Sequence, residues 1–335
     1  MLRLFLAAMV CAAASHAAMA APYRAPRTPD GHPDLQGMWS NGGRTTLQRD
    51  RAFKGLYATE AEAAEHLAKA RLRLEGKAPP EPGDEDDPDA QIGSAQSEWY
   101  EGAQSLLRID GRLRTSLIVD PINGRLPYNL LGRRIVDDSL HRDTGLMDGP
   151  EDRLSDERCL MALSGAAGPP MLPSAQNSHY RIVQTPQMVA IHMEMIHDVR
   201  LIRMGGRHDA AGYQWLGDSI GRWEGETLVV ETVGQHPLTA QRFIPSGILI
   251  VTPAAKVTER FTRISPSEIR YDFEVDDPAI YTRAWRAEGL LSASAEPMFE
   301  YACHEGNYAM RNILAGARRK EADAKSAAAT AKAAP

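Results

Sequence analysis

Cysteine is scarce, long apolar runs are missing beyond the N-terminus, and basic residues are outnumbered by acidic ones. Each shortage removes a class of protein. The chain has 3 cysteines in 335 residues and no C-x-x-C pair, which disfavours haem attachment and dithiol redox chemistry. After the first stretch no apolar run reaches the roughly 18 residues that a membrane-spanning helix needs. With 38 Lys and Arg against 44 Asp and Glu, the net charge is -6, and a nucleic-acid partner would want a basic face instead. No dinucleotide or haem motif occurs, so no cofactor is expected.

What is present is ordinary for a globular protein. Hydrophobic residues make up 43% and charged residues 24% of the chain, ample for a sizeable core. The N-terminus reads as a secretory leader over residues 1–20. Arg3 supplies the positive charge, residues 4–14 the short apolar segment, and Ala18-Met19-Ala20 the cleavage site. Cys11 follows Val10 and so does not fit a lipid-attachment site. Export leaves Cys159 and Cys303 in an oxidising compartment, where one disulfide is the simplest reading and two buried free thiols the other.

Taken in order, residues 21–97 form an arm and 98–323 a single β-rich domain. Within the arm, residues 35–39 are a possible short strand. Thr59 and Glu62 make a capping box for a helix to about residue 74. Residues 76–91 are an acidic Pro/Gly linker, and Glu98-Trp99-Tyr100 resumes ordered sequence. A strand is expected over 112–119 and a short helix over 131–139. Residues 179–197 are the longest apolar run outside the leader, broken at Thr185-Pro186-Gln187 into two strands. The second of these runs on through 201–204 to a turn at Gly205-Gly206. Further strands are expected over 214–216, 227–233, 256–263, 268–275, 280–287 and 298–303, with Ser265-Pro266-Ser267 as a hairpin turn. A helix follows over 308–323, and residues 324–335 read as a disordered Ala/Lys tail.

These patterns predict a mainly β fold: an antiparallel lipocalin-like barrel or sandwich, with an N-terminal helical arm and a C-terminal helix. A barrel of this size holds one small apolar ligand. Over 189–199 the alternation puts His197 on the apolar face with Met193, Met195 and Val199, and Glu194, Asp198 and Arg200 on the polar face. His192 and His197 lie five apart, on opposite faces of a strand, so they cannot share a metal ion without a bulge between them. Gly217-Asp218-Ser219-Ile220-Gly221 matches a nucleophile-elbow pattern, but no helix follows it. It reads as a tight turn in which Asp218 and Ser219 bond backbone amides.

Several phrases occur together: P-D-G-H-P-D-L-Q-G-M-W (29–39), E-M-I-H-D-V-R (194–200), G-D-S-I-G-R-W-E-G-E-T-L-V-V-E-T (217–232) and Y-A-C-H-E-G-N-Y (301–308). In these the chain resembles a large group of secreted, mostly uncharacterised bacterial proteins. The resemblance implies one continuous module and brings no catalytic assignment.

Two functions compete. One is an exported acid–base enzyme of isomerase, lyase or hydratase type, acting on a small apolar or aromatic molecule. His197 or His304 would carry the proton, with Glu194, Asp198 or Glu305 as partner. Arg200, His192, Trp215, Tyr271 and Asn307 would contact the ligand. The other is a non-catalytic lipocalin-like binding protein for a hydrophobic ligand. Oligomeric state is left open. Acid and base groups gathered on one cavity wall favour the enzyme; an apolar cavity, with each His bonded to backbone, favours the binding protein.

Overall fold

The computed structural model describes residues 23–75, 77, 105–140 and 147–333, apart from 154, 156, 163, 164, 167, 175, 210 and 211. The expected leader, residues 98–100 and nearly all of the acidic linker lie outside these residues. In chain order the elements are β1 (Gly37–Ser40), β2 (Tyr57–Ala58), α1 (Glu60–Leu74), β3 (Arg108–Ile109), β4 (Arg112–Arg114), β5 (Ile118–Asp120) and α2 (Leu130–Leu140). Then come β6 (His179–Gln184), β7 (Met188–Met193), β8 (Val199–Met204), β9 (Asp218–Glu224) and β10 (Thr227–Val233). The last are β11 (Gln241–Ile244), β12 (Gly247–Ile250), β13 (Lys256–Ser265), β14 (Glu268–Asp276), β15 (Trp285–Ala293) and α3 (Ala309–Ala333).

Nine strands close into a barrel in the order β1-β6-β7-β8-β9-β10-β13-β14-β15, and β15 returns to β1 through Trp39 opposite Ala293. The mainly β barrel with a C-terminal helix is therefore as expected. One seam departs from the antiparallel pattern: β8 and β9 run parallel. Parallel neighbours need a crossover rather than a tight hairpin, and residues 205–217 supply it. β1 comes from the arm, so the sheet crosses the boundary placed at residue 97. β5 adds to the edge of β15, β2, β4 and β3 form a small separate sheet, and β11 and β12 a hairpin.

Alternation builds the core where it was cleanest. Ile269, Tyr271, Phe273 and Val275 of β14 all point inward and are buried, with Trp39, Tyr180, Phe261 and Trp285 around them. Each such side chain contributes roughly 1.5–3 kcal/mol. The interior also holds charge. Arg200 of β8 forms a two-pronged pair with Glu259 of β13, with Nη1–Oε1 at 2.9 Å. Its Nε donates to Ser219 Oγ at 3.1 Å and its Nη2 to Thr232 Oγ1 at 2.8 Å, while the Tyr271 hydroxyl donates to Glu259 Oε1 at 2.7 Å. Buried charge is tolerated because every prong is bonded.

Elsewhere the sequence expectations need correction. The strand read over 188–204 is a hairpin: β7 stops at Met193, a one-turn corner covers Met195–His197, and β8 restarts at Val199. Ile196 and His197 both take left-handed backbone, with φ of 65° and 57°. That corner resets the two-residue phase. His197 becomes exposed, Val199 and Leu201 face outward, and Glu194 and Arg200 turn inward. The Gly217–Gly221 motif is the start of β9 rather than a turn: Asp218 Oδ2 does accept the Asp209 amide at 2.8 Å, but Ser219 bonds only side chains, Arg200 and Thr232. No strand forms over 298–303, β15 starts five residues later than read, and Gln214 makes only one bridge, to Gln235. Helix α3 runs through the Ala/Lys segment to Ala333, as alanine's helix propensity allows. Cys159 and Cys303 are disulfide-bonded across a sequence separation of 144.

Candidate functional site

Corner 194–198 gathers part of the predicted acid–base set. Glu194 is only 1% exposed; its Oε2 meets His179 Nδ1 at 3.1 Å and its Oε1 accepts the Phe299 amide at 2.9 Å. His197 Nε2 accepts the Tyr301 amide at 3.0 Å. Glu194 and His197 thus fasten the segment after β15 to the barrel. Asp198 is different. Burial pushes its carboxyl up to about 6, opposed by the nearby His197, and its Oδ2 has no hydrogen-bond partner. His192 is held below its ordinary value by burial, then by His197 and Arg181. His304 and Glu305 are not part of this group: they occupy the exposed turn after the disulfide.

The predicted ligand contacts also divide. Arg200 is saturated inside the barrel. Trp215 stacks on His236 at 4.3 Å, at the surface. Asn307 caps α3 through Oδ1, which accepts the Ala309 amide at 3.1 Å, so its role is to start a helix. Asn307 also lines a surface cleft of about 560 Å³ beside Tyr301 and Cys303, whereas Tyr271 lines an inner cavity. Its phenol is held well above the ordinary range by burial and then by the Glu259 carboxylate, and its oxygen accepts the Met171 amide at 2.8 Å.

That cavity was not read from the sequence. It has a volume of about 20 Å³, beside Asn41, Tyr271 and Phe273, room for one water-sized group. It shares Gly43, Thr45 and Pro173 with a larger cleft of about 180 Å³. The cleft runs beneath α1, where Leu67 and Ala70 face Leu47, Leu172 and Ile244. Two constraints place its walls. The Thr59 side chain accepts the Glu62 amide at 3.2 Å and caps α1. Thr45 Oγ1 accepts the Leu107 amide at 2.7 Å and donates to Arg114 O at 3.0 Å, locking the strip after β1.

Asn41 stands out here. It is 7% exposed, yet neither Nδ2 nor Oδ1 has a hydrogen-bond partner. A buried amide left so costs about 1–3 kcal/mol per group. The sequence signal at this point, Asn41-Gly42-Gly43, looks like any turn, and only the fold places it against an apolar wall.

No family model, curated protein or solved structure matches the chain. The likeness to secreted bacterial proteins therefore rests on the quoted phrases alone. Among the described residues no helix is long and apolar enough to cross a membrane, and no cluster of three or more His, Cys, Asp or Glu could hold a metal ion.

Proposed function

We propose that this is an exported binding protein for a ring-sized apolar molecule with a hydrogen-bonding head. The observation that carries the reading is the unpartnered, buried Asn41 amide beside an apolar cleft. The ring lies beneath α1, against Leu47, Leu67 and Ile244. The head reaches Asn41, which can donate and accept at once. A few placed polar groups in an apolar pocket is the usual composition of a small-molecule site. The leader-like N-terminus and the Cys159–Cys303 disulfide support export.

The test is calorimetric titration with benzamide and toluene. Benzamide should bind with a Kd at or below roughly 1 mM, and Asn41→Leu should weaken it about tenfold or more. Toluene, which has no head, should bind the variant at least as well as the parent. Equal benzamide binding to both proteins sinks the assignment, as does failure of both ligands to bind.

Acid–base turnover is the second reading. It is favoured by the raised Asp198 carboxyl near His197, a suitable base near neutral pH. Its signature is a rate that rises as Asp198 ionises near pH 6 and disappears in Asp198→Asn. A flat pH profile removes it.

A further inference from the structure

A second cleft lies on another part of the surface, between residues 49–56 and the turn after β5. Its volume is about 580 Å³, and its lining includes four cations: Arg49, Arg51, Lys54 and Arg125. In a chain of net charge -6 such a concentration is not background. None of the four makes an ion pair among the described residues, although many other arginines do. The one carboxylate in the lining, Asp50, turns Oδ1 onto its own loop, where it accepts the Ala52 amide at 2.8 Å.

Arg49 is the built part of this cleft. It is 7% exposed, its Nη2 donates to Ile122 O at 2.7 Å, and its Nε is buried with no acceptor. Its backbone amide donates to Gly124 O at 2.9 Å, closing the turn upon it. Gly124 has a φ of +69°, and a Cβ there would sit 2.9 Å from Arg49 Cβ and 3.2 Å from its Cζ. The turn can approach the guanidinium so closely only because this residue is glycine. Burial, followed by the like charge of Arg125, holds Arg49 below its ordinary value. A guanidinium buried beside another cation, with an idle donor, is stabilised by an anion. Leu56 and the exposed Ile122 add an apolar wall.

We infer that this cleft is a binding site for a small organic anion, with a phosphate or carboxylate head on Arg49 and Arg125 and an apolar body across Ile122. The site is separate from the cleft beneath α1.

The experiment is titration of the full chain at low salt with inorganic phosphate, benzoate and phenyl phosphate, with sedimentation against phosphatidylglycerol vesicles alongside. Phenyl phosphate should bind more tightly than inorganic phosphate. About 0.3 M salt should weaken it several-fold through screening. Arg125→Gln and Arg51→Gln, which alter partly or fully exposed side chains, should each weaken it about fivefold or more, while benzamide binding stays unchanged. Arg49→Lys, folded by circular dichroism, should lose more affinity than Arg51→Gln because lysine lacks the fork. No binding of phenyl phosphate or benzoate at roughly 10 mM overturns the proposal. So does equal affinity in an Arg51→Gln/Arg125→Gln double variant, or binding to vesicles without binding to either organic anion.

Discussion

Asp198 carries a cost that depends on pH. Its folded value of about 6 lies above the ordinary 3.8, so between those values the folded chain binds the proton more tightly than the unfolded chain does. Its contribution is most favourable below about pH 4 and is lost as pH rises through 6. Above neutrality the ionised, half-buried carboxylate destabilises by about 2–3 kcal/mol. Asp198→Asn removes the charge while keeping the shape. Its melting temperature should exceed the parent's by roughly 5 °C near pH 8 and equal it near pH 4. A lower melting temperature at pH 8 would mean that the surroundings of the ionised carboxylate favour it more than burial penalises it. Arg200 makes the opposite case. It too is a buried charge, but each of its three nitrogens is hydrogen-bonded, so it holds β8, β9, β10 and β13 together. Of two titratable groups two residues apart, one is structural and the other is poised.

Among the elements, the parallel seam between β8 and β9 leaves no room for a side chain at Gly221. Gly221 lies opposite Met204, and a Cβ there would fall 2.8 Å from Met204 Sδ and 2.9 Å from Ile202 Cγ2. Gly221→Ala should cost about 1–3 kcal/mol by overpacking, seen as a lower urea midpoint with an unchanged slope. A neutral result would show that Met204 swings aside. This scale also explains what could be read from the sequence. β6, β7, β10, β13 and β14 follow a two-residue rhythm bounded by clear turns, and the Thr59 box announces α1. β9 was hidden because Gly217 and Gly221 look like turn residues, although Gly221 is there for strand approach. The corner at 194–198 was hidden because its residues are apolar or charged and contain no Gly or Pro, so left-handed Ile196 and His197 gave no warning. Of the predicted site, Tyr271 lines the cavity. Asn41 and Arg49 were missed because their meaning lies in buried polar atoms left unpaired, the Asn41 amide and the Arg49 Nε, and only the packed fold reveals that.

For the whole molecule, the disulfide closes a loop spanning 144 positions. The chain-entropy model assigns such a loop up to about 5 kcal/mol. Replacing both cysteines by serine, or adding reductant, should lower the melting temperature by roughly 10 °C; a shift under a third of that would mean the segment after β15 is held chiefly by Glu194 and His197. Barrel closure acts over a longer range still. Trp39 meets Ala293 across the last seam, so the first barrel strand cannot finish pairing until nearly the whole polypeptide has emerged. A nascent chain halted before residue 285 would keep two raw sheet margins, one at each end of its translated length. Such a fragment is a substrate for proteases and for self-association, which makes late, all-at-once zippering the safe route for this chain.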